Sequence, residues 1–308
     1  MRPLPAYVPL LESGELALRA AAAREHLHAC DLCGRRCRID RTWGPLRGSC
    51  GTGEKAVVAS WGPHHGEEGP ISGSRGSGTV FFAYCNLACA FCQNFDLSHV
   101  GEGREATPTA LAAIFLALHE EGCHNLNLVS PTHVLPQVLE GLRLAADSGL
   151  TLPIVWNSGG YDSPEALALL DGVVDVYMPD MKYGDARTAL RLSHVPDYPA
   201  LNQAAVKEMH RQVGDLVLDG EGVAVRGLLV RHLVLPGGLA GSEEVFRFLA
   251  REVSTNTWLN VMGQYHPAWK ARDFPPLDRM PTPAELSEAR ALATRYGLTR
   301  QDSPLRRA

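Results

Sequence analysis

From Thr79 onward, short apolar runs alternate with stretches in which apolar residues recur at helical spacing. The runs predict six strands: Thr79–Tyr84, Asn125–Ser130, Pro153–Ser158, Val174–Met181, Leu228–Leu235 and Trp258–Gln264. Most are continuous rather than alternating, as expected for parallel strands buried on both faces. The intervening helices have legible ends. Thr107-Pro108 supplies an N-cap and an N1 proline, Leu111, Ile114, Phe115 and Leu118 mark one face, and Gly122 is the stop. Ser163-Pro164-Glu165 opens a second helix in the same way. Thr282-Pro283-Ala284-Glu285 reads as a capping box for a helix ending at Tyr296-Gly297.

Before this alternation, residues 1–29 read as a helical lead with Leu11, Leu16, Leu18 and an Ala20–Ala23 run. Residues 30–53 carry too few large apolar side chains for a core, which a bound metal would replace. Residues 61–78 are rich in glycine and read as an irregular loop, and 301–308 as a loose tail. The pattern predicts an α/β fold, specifically a partial parallel (β/α)6 TIM-like barrel with an N-terminal cysteine-rich metal-binding module. The expected division is helix and four-cysteine module at 1–60, barrel at 61–275, and C-terminal helix and tail at 276–308.

Composition narrows the class. Of 308 residues, 45% are hydrophobic and 20% charged, a balance that can bury a core. A net charge of -5 argues against a basic nucleic-acid or membrane-surface binder. No apolar run approaches the ~20 residues that span a bilayer, and the first residues lack a secretory pattern. The expected location is therefore cytoplasmic. Eight cysteines in a reducing compartment point to metal or redox chemistry rather than disulfides. Seven of them fall between Cys30 and Cys92, in two groups. Cys123 stands apart and reads as an inert core thiol.

The first predicted strand runs directly into Cys85-Asn86-Leu87-Ala88-Cys89-Ala90-Phe91-Cys92. Cys-x3-Cys-x2-Cys places three soft thiolates on one loop. Three thiolates leave one iron of a cubane cluster open to an outside ligand. The competing reading is a structural zinc that borrows a fourth ligand such as His99.

This loop resembles that of the radical SAM superfamily, and the resemblance narrows along the chain to the pyruvate formate-lyase activating enzyme-related group. It is carried by His64-His65-Gly66-Glu67-Glu68, Gly76-Ser77-Gly78-Thr79, Cys85-Asn86-Leu87 with Cys92-Gln93-Asn94, and Asn127 to His133. Further segments are Trp156 to Tyr161, Tyr177 to Tyr183, Arg231 to Gly237 and Gln264-Tyr265-His266-Pro267. The resemblance implies a [4Fe-4S] cluster on Cys85, Cys89 and Cys92, with S-adenosyl-L-methionine on the open iron. It places Phe91 beside the adenine. Ser130 and Thr132 occupy the segment that usually binds the methionyl ammonium through a glutamate absent here. Lys182 and Arg231 are expected on the SAM carboxylate, Asp180 near the SAM or a cation, His266 on the ribose, and Asn157 as a further polar ligand. Glu67 and Glu68 either face the pocket or solvate the turn, and His64 and His65 read as loop histidines.

Cys30-x2-Cys33-x3-Cys37-x12-Cys50 supplies four thiolates, the closed-shell number for zinc or for a second iron–sulfur cluster that could pass electrons to the first. Arg35, Arg36, Arg38, Arg41 and Arg47 crowd this segment. They read either as a phosphate-binding patch or, given the acidic whole, as charge compensation for the thiolates. The expected function is reductive cleavage of SAM to a 5′-deoxyadenosyl radical that takes hydrogen from a substrate. By resemblance, that substrate is a glycyl residue of a partner protein, as for an activase, or else a small molecule. Flavodoxin or ferredoxin would supply the electron. The competing class is a zinc-ribbon-type binding protein on a barrel scaffold without radical chemistry.

Overall fold

A computed structural model describes residues 3–43 and 47–301, so most of the expected tail, 302–308, lies outside the described residues. Nine strands form one mixed, mostly parallel sheet: β1 Ala56–His64, β2 Ser77–Phe82, β3 Arg104–Ala106, β4 Leu126–Val129, β5 Ile154–Asn157, β6 Val176–Tyr177, β7 Val217–Leu218, β8 Ala224–Leu233 and β9 Trp258–Met262. The order is β3-β1-β2-β4-β5-β6-β8-β7, with β9 also on β8. The consecutive pairs β2·β4, β4·β5, β5·β6, β6·β8 and β8·β9 are all parallel. Those six strands correspond to the six apolar runs. Each run overshoots its strand by one to four residues at the C-terminal end, and these overhanging residues form the mouth described below.

Parallel strands demand cover on both faces, and the side chains divide accordingly. Leu126, Leu128, Ile154, Trp156, Tyr177, Leu228 and Val230 pack outward into the helical layer. Val155, Val176, Met178 and Leu229 pack on the opposite face with Ile71 and Leu216. The covering helices start where the caps predict. Thr107, Ser163 and Thr282 each accept the N–H three residues on, and Glu285 completes the capping box. Helices Ala186–Ser193 and Tyr198–Val213, and the short β7, escaped the sequence pattern. In the N-terminal lead, Leu16, Ala20 and Ala23 are buried as expected, but Leu18 is exposed.

Residues 61–78 are a loop only in part: 65–76 connect two strands through the short helix Gly69–Ser72, while both ends are strand. β1 crosses the boundary expected at residue 60 and pairs antiparallel with β2, Trp61 opposite Val80 and His64 opposite Ser77. Of the glycines here, Gly62 and Gly78 are strand residues. A Cβ on Gly78 would stand 2.8 Å from the Asn125 carbonyl oxygen, so only glycine lets β2 approach that neighbour. Among the described residues no helix is long and apolar enough to cross a membrane.

Two buried histidines make the fold acid-sensitive. His232 lies in β8, its Nδ1 2.7 Å from the Met181 carbonyl and its Nε2 2.9 Å from Ser242 Oγ. His133 Nε2 donates to the Ala83 carbonyl. Burial pushes both imidazoles down to about 4. The unfolded chain therefore takes up protons near pH 6.5 that the folded chain refuses until about pH 4. Stability present above pH 6.5 is lost as pH falls through that window, at about 3 kcal/mol per histidine. Asp175, pushed up to about 6 by burial, opposes them. Its contribution is present below the usual carboxylate value and lost as pH rises through 6, at about 3 kcal/mol. Thermal unfolding between pH 7 and 4.5 should show a net fall in midpoint, and His232→Gln should flatten it. An unchanged slope in that variant would contradict the assignment.

Candidate active site

The C-terminal ends of all six parallel strands open onto one cavity of about 330 Å³. Phe81 and Phe82 line it from β2, Val129 and Ser130 from β4, and Asn157 and Ser158 from β5. Asp180 and Lys182 follow β6, while Arg231 belongs to β8 and Met262 to β9. Cys85, Cys89 and Cys92 all join this lining from the loop that leaves β2.

That loop is built on unusual backbone. Tyr84 (φ 68°), Ala88 (φ 53°) and Ser130 (φ 57°) all line the cavity in left-handed conformations. Such residues cost about 1–3 kcal/mol each and persist where surrounding contacts over-determine them. Leu87, fully buried between Cys85 and Cys89, anchors the loop from below. Phe91 is buried and meets Tyr183 and Tyr265 edge-on, at centroid distances of 6.2 and 6.0 Å. Hydrogen bonds reach the sulfurs themselves: Ser193 Oγ donates to Cys89 Sγ at 3.1 Å and Ser98 Oγ to Cys92 Sγ at 3.0 Å. Neither serine carries a sequence signal, because each is set by tertiary placement rather than by a motif. Burial, then repulsion from Cys89, pushes the Cys85 thiol up to about 12, while the Lys182 ammonium acts in the opposite sense.

The charged residues beneath the cavity form a network. Lys182 Nζ donates to Asp180 Oδ2 at 2.5 Å. Burial works against its charge, but the Asp180 carboxylate outweighs that and holds the ammonium above its usual range. Arg231 Nε lies 3.2 Å from Glu68 Oε1 and 3.9 Å from Asp180 Oδ1, with Nη1 3.7 Å from Glu67 Oε2. It also donates to Asn157 Oδ1 at 3.3 Å. Burial raises the Glu67 carboxyl despite the nearby Arg231. Glu67 and Glu68 are thus buried partners of Arg231 and do not solvate the turn. Their signal was the acidic pair at a loop end, which only the arginine across the sheet could interpret.

Three expected site residues are placed differently. Thr132 lies outside the cavity lining, its hydroxyl donating to the buried Asp162 at 2.7 Å. Arg231 reaches the lining, yet carboxylates already surround its guanidinium. His266 is exposed beside the cavity, with Nδ1 2.6 Å from Gln93 Nε2. Phe91, Ser130, Asn157 and Lys182 line the same cavity as the three cysteines.

The four-cysteine segment folds as a knuckle. Cys30 and the Arg38–Ile39 pair exchange backbone hydrogen bonds, and Arg36 N–H donates to the Cys33 carbonyl. Cys30, Cys33 and Cys50 are buried and Cys37 is partly so. A Cβ on Gly48 would stand 3.2 Å from Cys50 Sγ and 3.9 Å from Cys37 Sγ, so both sulfurs border one small space. Burial, then the field of Cys50, Cys30 and Cys37, pushes the Cys33 thiol up to about 12. Charge compensation by arginine is narrower than expected. Among the described residues, Arg41 is the arginine seen to touch a sulfur, donating to Cys30 Sγ at 3.4 Å and to the Gly53 and His133 carbonyls. Arg36 pairs with Glu165 and Arg38 with Asp31. Arg35 donates only to backbone carbonyls.

Among the described residues, no three His, Cys, Asp or Glu side chains are already gathered at metal-ligand geometry. The fit of each group therefore rests on the donor set. Three thiols on one loop lining one cavity, and four thiols bordering one knuckle, suit a three-thiolate cluster and a closed four-thiolate site respectively.

No protein-family model matches the chain. The uncharacterized protein MJ0674 of Methanocaldococcus jannaschii is 33% identical over 293 residues, covering 92% of this chain and 79% of the relative.

Proposed function

This chain belongs to the family of the Methanocaldococcus jannaschii protein, and we propose that it is a radical S-adenosylmethionine enzyme built on a partial (β/α)6 barrel. The observation that carries this reading is the meeting of Cys85, Cys89 and Cys92 with the ends of all six parallel strands around one cavity. Active sites of parallel barrels gather at that face.

Cys85, Cys89 and Cys92 would hold the [4Fe-4S] cluster. Once bound there, that group would supply the one electron needed for reductive cleavage of S-adenosylmethionine to methionine and a 5′-deoxyadenosyl radical able to take hydrogen from a substrate. The protein binds, orients and shields. Lys182, kept charged by Asp180, presents an ammonium for the methionyl carboxylate. The Ser130 hydroxyl and the Asn157 amide line the polar side of the cavity, and Phe91, backed by the buried Tyr183 and Tyr265, presents an aromatic surface to the adenine. Leu87, Phe82 and Met262 keep water from the reacting carbon. Arg231, also in the lining, holds Asn157 and faces Asp180 across 3.9 Å. Cys30, Cys33, Cys37 and Cys50 would hold zinc or a second cluster in the four-cysteine knuckle. Flavodoxin or ferredoxin is the proposed reductant, and a glycyl residue of a partner protein is the first substrate to test.

Anaerobic reconstitution should give a brown protein with about four irons on the three-cysteine loop. Dithionite and S-adenosylmethionine should then yield 5′-deoxyadenosine. A colourless protein with zinc at both cysteine groups and no nucleoside product would support the binding-protein reading instead.

A further inference from the structure

We propose that Arg35 is a positioning residue that couples the four-cysteine knuckle to the sulfur ligands of the three-cysteine loop; the inference rests on the cluster reading above. Arg35 sits in the spacer between Cys33 and Cys37, so a metal held by those thiols fixes its backbone on both sides. Its guanidinium reaches across to four carbonyls. Nε donates to Asn86 at 2.9 Å, Nη2 to Leu87 at 3.0 Å and to Ser193 at 2.9 Å, and Nη1 to His194 at 3.0 Å. Asn86 and Leu87 lie between Cys85 and Cys89, and Ser193 Oγ donates to Cys89 Sγ. One side chain of the knuckle thus holds both the loop that carries the sulfurs and the hydroxyl bonded to one of them.

The surrounding backbone is arranged for this contact. Gly34 N–H and Asn86 Nδ2 both donate to the Tyr161 carbonyl, joining knuckle and loop at a second point. A Cβ on Gly34 would stand 2.3 Å from the Tyr161 ring, so the docking requires glycine beside Arg35. Seven non-glycine residues have positive φ among those described, and five of them belong to this connection. Arg36 (φ 41°) and Arg38 (φ 55°) flank Cys37, Tyr84 and Ala88 adjoin Cys85 and Cys89, and His194 (φ 55°) offers the carbonyl that Arg35 takes. Strained residues need support from outside themselves, and a planar five-donor guanidinium satisfying four carbonyls supplies it. Lysine, with a single ammonium, cannot span those acceptors.

Hydrogen bonds to cluster-ligating sulfurs raise the reduction potential by stabilising the more negative reduced state. Potentiometric titration of the reconstituted cluster, followed by its electron paramagnetic resonance signal, therefore reads the coupling. Arg35→Gln should shift the potential negative and alter the signal. Ser193→Ala should shift it in the same direction, and the double variant should fall short of the sum. Cys37→Ala, which opens the knuckle, should reproduce the Arg35→Gln change and speed hydrogen exchange at the Asn86 and Leu87 amides. Arg35→Lys should fail to restore the wild-type signal. Unchanged potential and exchange in Arg35→Gln, or a shift there that Cys37→Ala does not share, would overturn the coupling. A wild-type protein that takes up no iron on the three-cysteine loop would instead overturn the function on which it rests.

Discussion

Alanine at Cys85, Cys89 or Cys92 should abolish 5′-deoxyadenosine formation, whereas alanine at Cys123 should leave it intact. In the proposed function each of the first three would supply one of three thiolates, so any single loss would leave the cluster two protein ligands and strip its iron. The neighbouring hydroxyls do not replace a thiolate: Ser98 and Ser193 already donate to Cys92 and Cys89. Cys123 is buried too, but it packs in the hydrophobic layer, away from the cavity lining. Its truncation removes one small group and costs about 1 kcal/mol of stability. Iron content and nucleoside yield, measured together, check the contrast. A triad variant with wild-type yield would remove the basis of the proposed function.

The second large effect is on the fold. Arg231→Met should destabilise the protein by about 3–5 kcal/mol, the cost of leaving buried charge without its partner. Glu67 and Glu68 are almost fully buried, and Arg231 is the cation between them and Asp180. Methionine replaces the aliphatic stem of the side chain but returns no charge, so two carboxylates must protonate or draw in water. Adding Glu68→Gln should recover part of the loss, because it removes one of the stranded charges while Asn260 Nδ2 keeps a hydrogen-bond partner at that position. Urea unfolding of the single and double variants measures this. Wild-type stability in Arg231→Met, combined with loss of S-adenosylmethionine binding, would restore the arginine to the role of a ligand clamp.

Fold and site differ in how far local sequence determines them. The six parallel strands were legible because burial on both faces makes each an unbroken apolar run, and the helix starts because Thr107, Ser163 and Thr282 cap their own next turn. β1 was hidden because its solvent-facing edge carries Trp61, Pro63 and His64 among glycines, a composition shared with loops. Its strand character comes from β2 alongside. The grouping of the cysteines was legible for a related reason: Cys85, Cys89 and Cys92 stand at short spacing on one loop, and that loop lines the cavity. The roles of Thr132 and Arg231 were not, because strand ends tell where a residue lies and not what has already engaged it. Asp162, thirty residues beyond Thr132, and Glu68, on the far edge of the sheet from β8, decide those two positions. Arg35 is the extreme case, since its acceptors are backbone carbonyls that have no sequence identity at all.

Its reach also imposes a timetable on synthesis. Arg35 and the His194 carbonyl are 159 residues apart in the chain. At about 5–20 residues per second, the knuckle emerges from the ribosome on the order of 10–30 s before its dock exists. Tyr7 waits similarly for the carbonyls of Leu150 and Leu152. During that interval the thiols of both groups are unshielded, free to bind the wrong metal or to oxidise. Loading the four-cysteine site while the chain is still being made would close part of that window and hold Arg35 ready when residue 194 arrives.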